Sequence, residues 1–198
     1  MNQLSDPAEH WPVHEVERIW SGNAPFAVRR DTISAPGRPG ETFGRLVLEH
    51  PGAVVILAVD DRERTLVLHQ YRHPVERRML ELPAGLLDVP GEDPLLAAQR
   101  ELREEALLVA DTWEHLLATY PSPGLSSERI DIFLATGLSA APDRGDFTPA
   151  HEEADMTTSW VPVADLVEAF LAHDITNGPT GQAVLAYTLR ASRRSGSA

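Results

Sequence analysis

Gly85-Leu86-Leu87-Asp88-Val89-Pro90-Gly91-Glu92-Asp93-Pro94-Leu95-Leu96-Ala97-Ala98-Gln99-Arg100-Glu101-Leu102-Arg103-Glu104-Glu105-Ala106-Leu107-Leu108 is the stretch on which the fold of this chain turns. Its second half predicts a helix. Asp93 stands where an N-cap belongs, and Pro94 stands at the first helical position, where a missing N–H costs nothing. Leu95, Ala98, Leu102, Ala106 and Val109 then recur at three- and four-residue steps, an apolar stripe on a helix of about four turns. Beside that stripe Glu101, Glu104 and Glu105 fall at i, i+3 and i+4, within roughly a 100° arc. Like charges so spaced destabilise a helix by roughly 0.2–0.5 kcal/mol per pair. They also lie in the half of the helix where the dipole disfavours anions. The cluster suits either a solvated acidic face paired with Arg100 and Arg103 or a platform for a hard divalent cation such as Mg²⁺.

Residues 81–92 read as a structured loop rather than a strand or a helix. Ahead of them come strand-like runs at 13–20, 26–33, 42–49, 53–59 and 65–71, with a Gly/Pro-rich turn at 35–40. Ala53-Val54-Val55-Ile56-Leu57-Ala58-Val59 is apolar throughout, as a strand buried on both faces would be. Beyond the helix, strands are predicted at 115–120, 130–135 and 156–161, and helices at 165–173 and 180–194. Strands, one central helix, more strands and then helices predict an α+β or sandwich-like α/β/α domain.

Composition removes several chemistries. The 198 residues carry 17 basic and 30 acidic side chains, a formal charge of −13, and all the basic residues are arginine. Lysine and cysteine are absent, so there is no Schiff-base lysine, Walker lysine, cysteine nucleophile, thiolate metal site or disulfide framework. An acidic chain without a clustered basic stripe is not expected to bind nucleic-acid backbones. A small phosphorylated metabolite remains compatible, since a divalent cation reverses the local sign. No apolar run approaches the roughly 20 residues needed to span a bilayer, and the first residues lack the pattern of a signal peptide. The expected address is cytoplasmic, with no membrane partner.

Read together, Gly85, Glu92, Arg100-Glu101-Leu102-Arg103-Glu104-Glu105 and Leu108 resemble the Nudix box of the Nudix hydrolases. That pattern is a glycine, five residues, a glutamate, seven residues, then Arg-Glu-aliphatic-x-Glu-Glu-x-Gly-aliphatic. This chain departs from it twice. Six residues separate Gly85 from Glu92, and Leu107 stands where the box has glycine. The extra residue falls in a loop, where insertions cost little. Leu107 lies beyond the acidic cluster, where glycine would permit a left-handed helix end. Glu81-Leu82-Pro83-Ala84-Gly85, Pro123 sixteen residues past Leu107, and Ser122-Pro123-Gly124-Leu125-Ser126-Ser127-Glu128-Arg129 are similar to the ADP-ribose pyrophosphatase branch of that family. So is the acidic loop His151-Glu152-Glu153-Ala154-Asp155-Met156.

The resemblance implies a Nudix fold, an α/β/α sandwich with a mixed sheet, plus an N-terminal antiparallel β extension. It implies a strand region over 1–45 that forms a homodimer, and a catalytic domain over 46–198. It further implies Mg²⁺, or Mn²⁺, held by Glu101, Glu104, Glu105 and the Ala84 carbonyl, with Arg100 orienting the acidic cluster. Glu152 would be the general base, with Glu153 the runner-up. Arg72 would hold substrate phosphate, Glu81 and Glu128 would line the pocket, and Arg45 would assist. The implied reaction is hydrolysis of ADP-ribose to AMP and ribose 5-phosphate. The alternatives are another nucleoside diphosphate derivative, such as a nucleotide sugar, or a non-catalytic ADP-ribose sensor.

Other features carry less. None of the eight histidines has HExxH spacing; His69 and His73 would share one face of a strand and read as ordinary polar residues. Trp20 and Phe26 read as packing residues, or, by the resemblance, as adenine-stacking ones. Ser126-Ser127 lacks a nucleophile elbow and reads as a polar loop.

Overall fold

Strand β4 (Ala53–Ala58) is buried along its whole length, and the second of two units is built around it. The structure, a computed structural model, describes residues 4–22, 24–145 and 155–195. One unit comprises Met1–His50 with Ser122–Glu128, the other Pro51–Pro121 with Arg129–Ala198.

The first unit is an antiparallel sheet of β1 (Val13–Ser21), β2 (Ala27–Ser34) and β3 (Thr42–Glu49) in that order. The segment from Ser122 to Glu128 is fastened to β3 by backbone bonds, Leu48 N–H to Leu125 O at 2.9 Å and Ser127 N–H to Leu48 O at 3.1 Å.

In the second unit β4 pairs with β7 (Ala84–Leu86) on one side and, in parallel, with β9 (Ile130–Ala140) on the other. β8 (Leu108–Thr119) completes this sheet in the order β7-β4-β9-β8. A second sheet has β5 (Arg64–Arg72) between β10 (Thr157–Pro162) and β6 (Arg77–Glu81). The strand alternation sorts β4 between two cores. Val54, Ile56 and Ala58 pack with Ala97, Ala98 and Leu102 of α1 (Pro94–Ala106). Val55, Leu57 and Val59 pack with Val67, Ile132 and side chains of α2 (Val163–Leu171) and α3 (Gly178–Ser195). Each fully buried Val, Leu or Ile contributes about 1.5–3 kcal/mol, so this doubly covered strand anchors the unit. The fold is α+β with a mixed, helix-covered sheet, as expected. Among the described residues no helix is long and apolar enough to cross a membrane.

Three local expectations are corrected. Residues 81–92 are not loop throughout: Glu81 closes β6, and Ala84–Leu86 pairs with β4 through Val55↔Ala84 and Ala53↔Leu86. Three residues holding a glycine and preceded by Pro83 carry no period-2 pattern, so only the partner strand shows them as a strand. The helix is shorter than the stripe suggests. It ends at Ala106, and Val109 belongs to β8. Leu107 adopts φ 54° and ψ 38°, the left-handed turn normally left to glycine, at a cost of roughly 1–2 kcal/mol for an L-residue. His73 leaves the strand of His69 and opens a single 3₁₀ turn, His73–Val75.

Candidate active site

Helix α1 begins as its sequence dictates. Asp93 is extended and its carboxylate accepts the Leu95 N–H at 2.8 Å, with Pro94 in the first turn. From that start, the turn that brings Ala97, Ala98 and Leu102 to the sheet also carries Glu101 and Glu105 inward, to 8% and 7% exposure. Gly85 on β7 makes the room. A Cβ there would stand 2.0 Å from Glu101 Cδ and 2.1 Å from its Oε1, so no other residue fits without displacing the carboxylate. Next to it the Ala84 N–H donates to Glu105 Oε2 at 3.0 Å.

Arg100 is the hub of the acidic cluster. Its Nε and Nη2 donate to the two Glu92 oxygens, each at 3.1 Å, and Nη1 donates to Glu101 at 2.6 Å and Glu104 at 3.2 Å. The hydrogen bonds to Glu92 raise its guanidinium further above its ordinary value. Even so, burial pushes the Glu101 carboxyl up to about 7; Arg100 opposes the shift, while Glu104 and Asp88 add to it. A carboxylate so strongly desolvated gains from a cation beside it. The donor set is all oxygen, which fits a hard divalent ion rather than a soft one. Among the described residues no three acidic or histidine side chains form a ready metal cage. Oxygens of Glu101 and Glu104 instead face Arg100, and a cation would take over part of that contact.

Arg72, at the end of β5, forks onto Glu81, at the end of β6, with Nε to Oε1 at 3.0 Å and Nη2 to Oε2 at 2.6 Å. Two residues expected separately at a substrate pocket are thus one ion pair. Its carboxylate is buried and its guanidinium half-exposed. Arg45 and Glu128 belong to the N-terminal unit. There Arg45 lies over the Phe43 ring at 4.4 Å, and Glu128 lies 3.7 Å from His50, whose imidazole burial lowers against the pull of Glu128. Glu152 and Glu153 lie outside the described residues.

Sequence reading missed two arginines. Arg78 of β6 donates to the Asp155 carboxylate and, at 3.2 Å, to its carbonyl. Arg144 donates to the carbonyls of Glu104 and Glu105 at the end of α1. No local signal marks either, because the partners stand 77 and about 40 residues away in the chain. The serine and histidines singled out in the sequence make ordinary polar contacts. Ser127 Oγ accepts the His50 N–H at 3.0 Å, His69 meets Ser159 at 3.2 Å, and His73 meets Tyr71 at 3.3 Å.

Comparison with known proteins gives this geometry its context. The chain is 46% identical over 177 residues to an ADP-ribose pyrophosphatase of Mycobacterium tuberculosis, covering 87% of this chain and 83% of that one. It is 32% identical over 168 residues to an ADP-ribose pyrophosphatase of Bacillus subtilis, covering 85% and 87%. A crystal structure described as an ADP compounds hydrolase superposes with a TM-score of 0.76 at 20% identity, covering 96% of this chain and 98% of the other, which speaks to the fold alone. The NUDIX domain family matches residues 49–181, which include the whole of Gly85–Leu86, Glu92 and the Arg100–Glu105 cluster. With that match over most of the chain, and with relatives of this identity and coverage, the chain belongs to the NUDIX domain family and is a Nudix hydrolase.

Proposed function

We propose that this protein hydrolyses the pyrophosphate of ADP-ribose to AMP and ribose 5-phosphate with Mg²⁺, Mn²⁺ serving as a substitute. The observation that carries this is the buried Glu101 carboxylate, pushed to about 7 in the space left by Gly85, on a helix face shared with Glu104 and Glu105. The substrate assignment is supported by the two ADP-ribose pyrophosphatases to which the chain is similar along most of its length.

Hydrolysis adds water to one phosphorus and breaks the bridging P–O bond, against the repulsion of a highly charged substrate. A bound divalent ion would neutralise part of that charge and lower the pKa of a water bound to it. Glu101, Glu104, Glu105 and the Ala84 carbonyl are the residues that would hold it. Arg100 keeps the carboxylates aligned through its bonds to Glu92, Glu101 and Glu104. Arg72 offers a planar fork to phosphate oxygens, and its bond to Glu81 orients it, so a chain without lysine still grips phosphate. The resemblance also assigns Arg45 and Glu128, which belong to the N-terminal unit, to substrate binding. Glu152 accepts the proton of the attacking water, with Glu153 as the substitute.

The proposal extends to a homodimer in the cytoplasm. Every residue of β1 is exposed, Val16, Ile19 and Trp20 among them, and an uncovered edge strand with apolar side chains is a template for a second copy. Steady-state kinetics on a panel of nucleoside diphosphate derivatives tests the chemistry. ADP-ribose with Mg²⁺ is expected to give the highest kcat/KM, and Glu105→Gln to lower it at least about 100-fold. Preference for a nucleotide sugar would replace the substrate, and binding without turnover would make the protein a sensor.

A further inference from the structure

Glu104 and Glu105 stand in the last turn of α1, where helix carbonyls have no intrahelical partner and ends fray. In the Nudix pattern a glycine closes that turn. Here Leu107 does so in a left-handed conformation that its side chain disfavours, its N–H bonding the Arg103 carbonyl at 3.1 Å. A weaker end is therefore expected just where two ligand-bearing residues must be held still.

The segment after β9 supplies what the leucine does not. Arg144 Nη1 donates to the carbonyl of Glu104 and, at 3.2 Å, to that of Glu105. Arg103 reaches back to the Asp143 carboxylate and, at 3.2 Å, to its carbonyl; the Gly145 N–H bonds the Asp143 carboxylate at 2.9 Å. The Ala141 N–H closes the Leu107 carbonyl at 2.8 Å. A guanidinium on those carbonyls also opposes the negative end of the helix dipole.

We infer that Arg144 is a positioning residue for the metal-holding helix: by binding the Glu104 and Glu105 carbonyls it holds the last turn in place and compensates for leucine at position 107. The inference rests on α1 being the metal-binding helix, as proposed above. It implies that positions 144 and 107 are energetically coupled, although they lie far apart in the chain.

The test compares wild type with Arg144→Gln, Arg144→Lys, Leu107→Gly and the double variant Leu107→Gly/Arg144→Gln. Mn²⁺ binding to the substrate-free protein is followed by electron paramagnetic resonance, and amide hydrogen exchange at Leu107 is followed without metal. Arg144→Gln is expected to weaken Mn²⁺ binding by about tenfold, the usual scale for a residue that supports ligands without touching the ion. It should also speed exchange at Leu107 and raise the half-saturating Mg²⁺, while KM at saturating metal stays within about twofold. Arg144→Lys should recover part of the loss, and the double variant most of it. A role in stability alone would lower Tm without this selective loss and without rescue by Leu107→Gly, and that pattern overturns the inference. So does Mn²⁺ affinity unchanged in Arg144→Gln. If Arg144→Gln does not fold, Arg144→Lys decides: weaker Mn²⁺ binding with less protection of the Leu107 amide supports the inference, and both unchanged overturn it. Wild type that binds no Mn²⁺ would overturn the metal-site proposal instead, while the exchange measurements still decide the role of Arg144 at the helix end.

Discussion

Glu101 shows how one residue carries the consequences of its neighbours. Its folded value of about 7 stands above the ordinary 4.5, because burial disfavours the charged form. The stability it contributes to the metal-free protein is therefore fully present below about 4.5 and is lost as pH rises through about 7. Glu101→Gln removes this liability along with the charge. At pH 8 without metal it should melt about 2–4 °C above wild type, and the gap should close towards pH 4 and on adding Mg²⁺ to wild type. Calorimetry across pH checks this; a metal-free variant no more stable than wild type at pH 8 would show that the charge is already compensated. Gly85 makes the complementary case. Gly85→Ala places a methyl within 2.0 Å of the Glu101 Cδ, so kcat/KM should fall by about 100-fold or more while the sheet persists by circular dichroism. The need for glycine there was legible in the box pattern, but its cause, the approach of a carboxylate from a residue sixteen positions later, was not.

At the scale of the element, the two ends of α1 differ in how far they can be read. The start is local chemistry. Asp93 and Pro94 are adjacent in sequence and cap the helix with one hydrogen bond of 2.8 Å. Asp93→Ala should cost about 1 kcal/mol in denaturant unfolding and leave kcat within about twofold, since the cap lies at the opposite end from Glu104 and Glu105. A larger loss of activity than of stability would contradict that separation. The end depends on distant groups. Leu107 gives no stop signal, and the carbonyls it leaves are met by Arg144, so the apolar stripe overran into β8. The short β7 escaped for the same reason: its strand character comes from pairing with β4.

At the scale of the whole molecule, the proposed homodimer rests on the resemblance and is supported by an edge strand with no burial along its length. Ile19→Lys places a charge on that strand, in the unit that does not contain the acidic helix. In sedimentation at micromolar concentration it should shift mass towards the monomer and leave the far-ultraviolet spectrum unchanged. A wild type that is already monomeric would remove the dimer from the proposal. Charge also acquires a location at this scale. Of the formal −13, the part the proposed chemistry draws on is the carboxylate group around Arg100, which a bound cation would convert into an anion-binding site.

The sequence by itself determined the family, the succession of the longer strands and helices, the helix start and the identity of the acidic cluster. These depend on spacing along one chain: caps two residues apart, stripes at three and four, a buried strand that is apolar throughout. Only the tertiary structure decided that Glu101 and Glu105 are buried, that Gly85 yields its side-chain volume to Glu101, that Arg72 and Glu81 act as one pair, and that Arg144 holds the end of α1. Each of those is a contact between groups brought together by the sheet, and burial and charge compensation are properties of such surroundings rather than of sequence spacing.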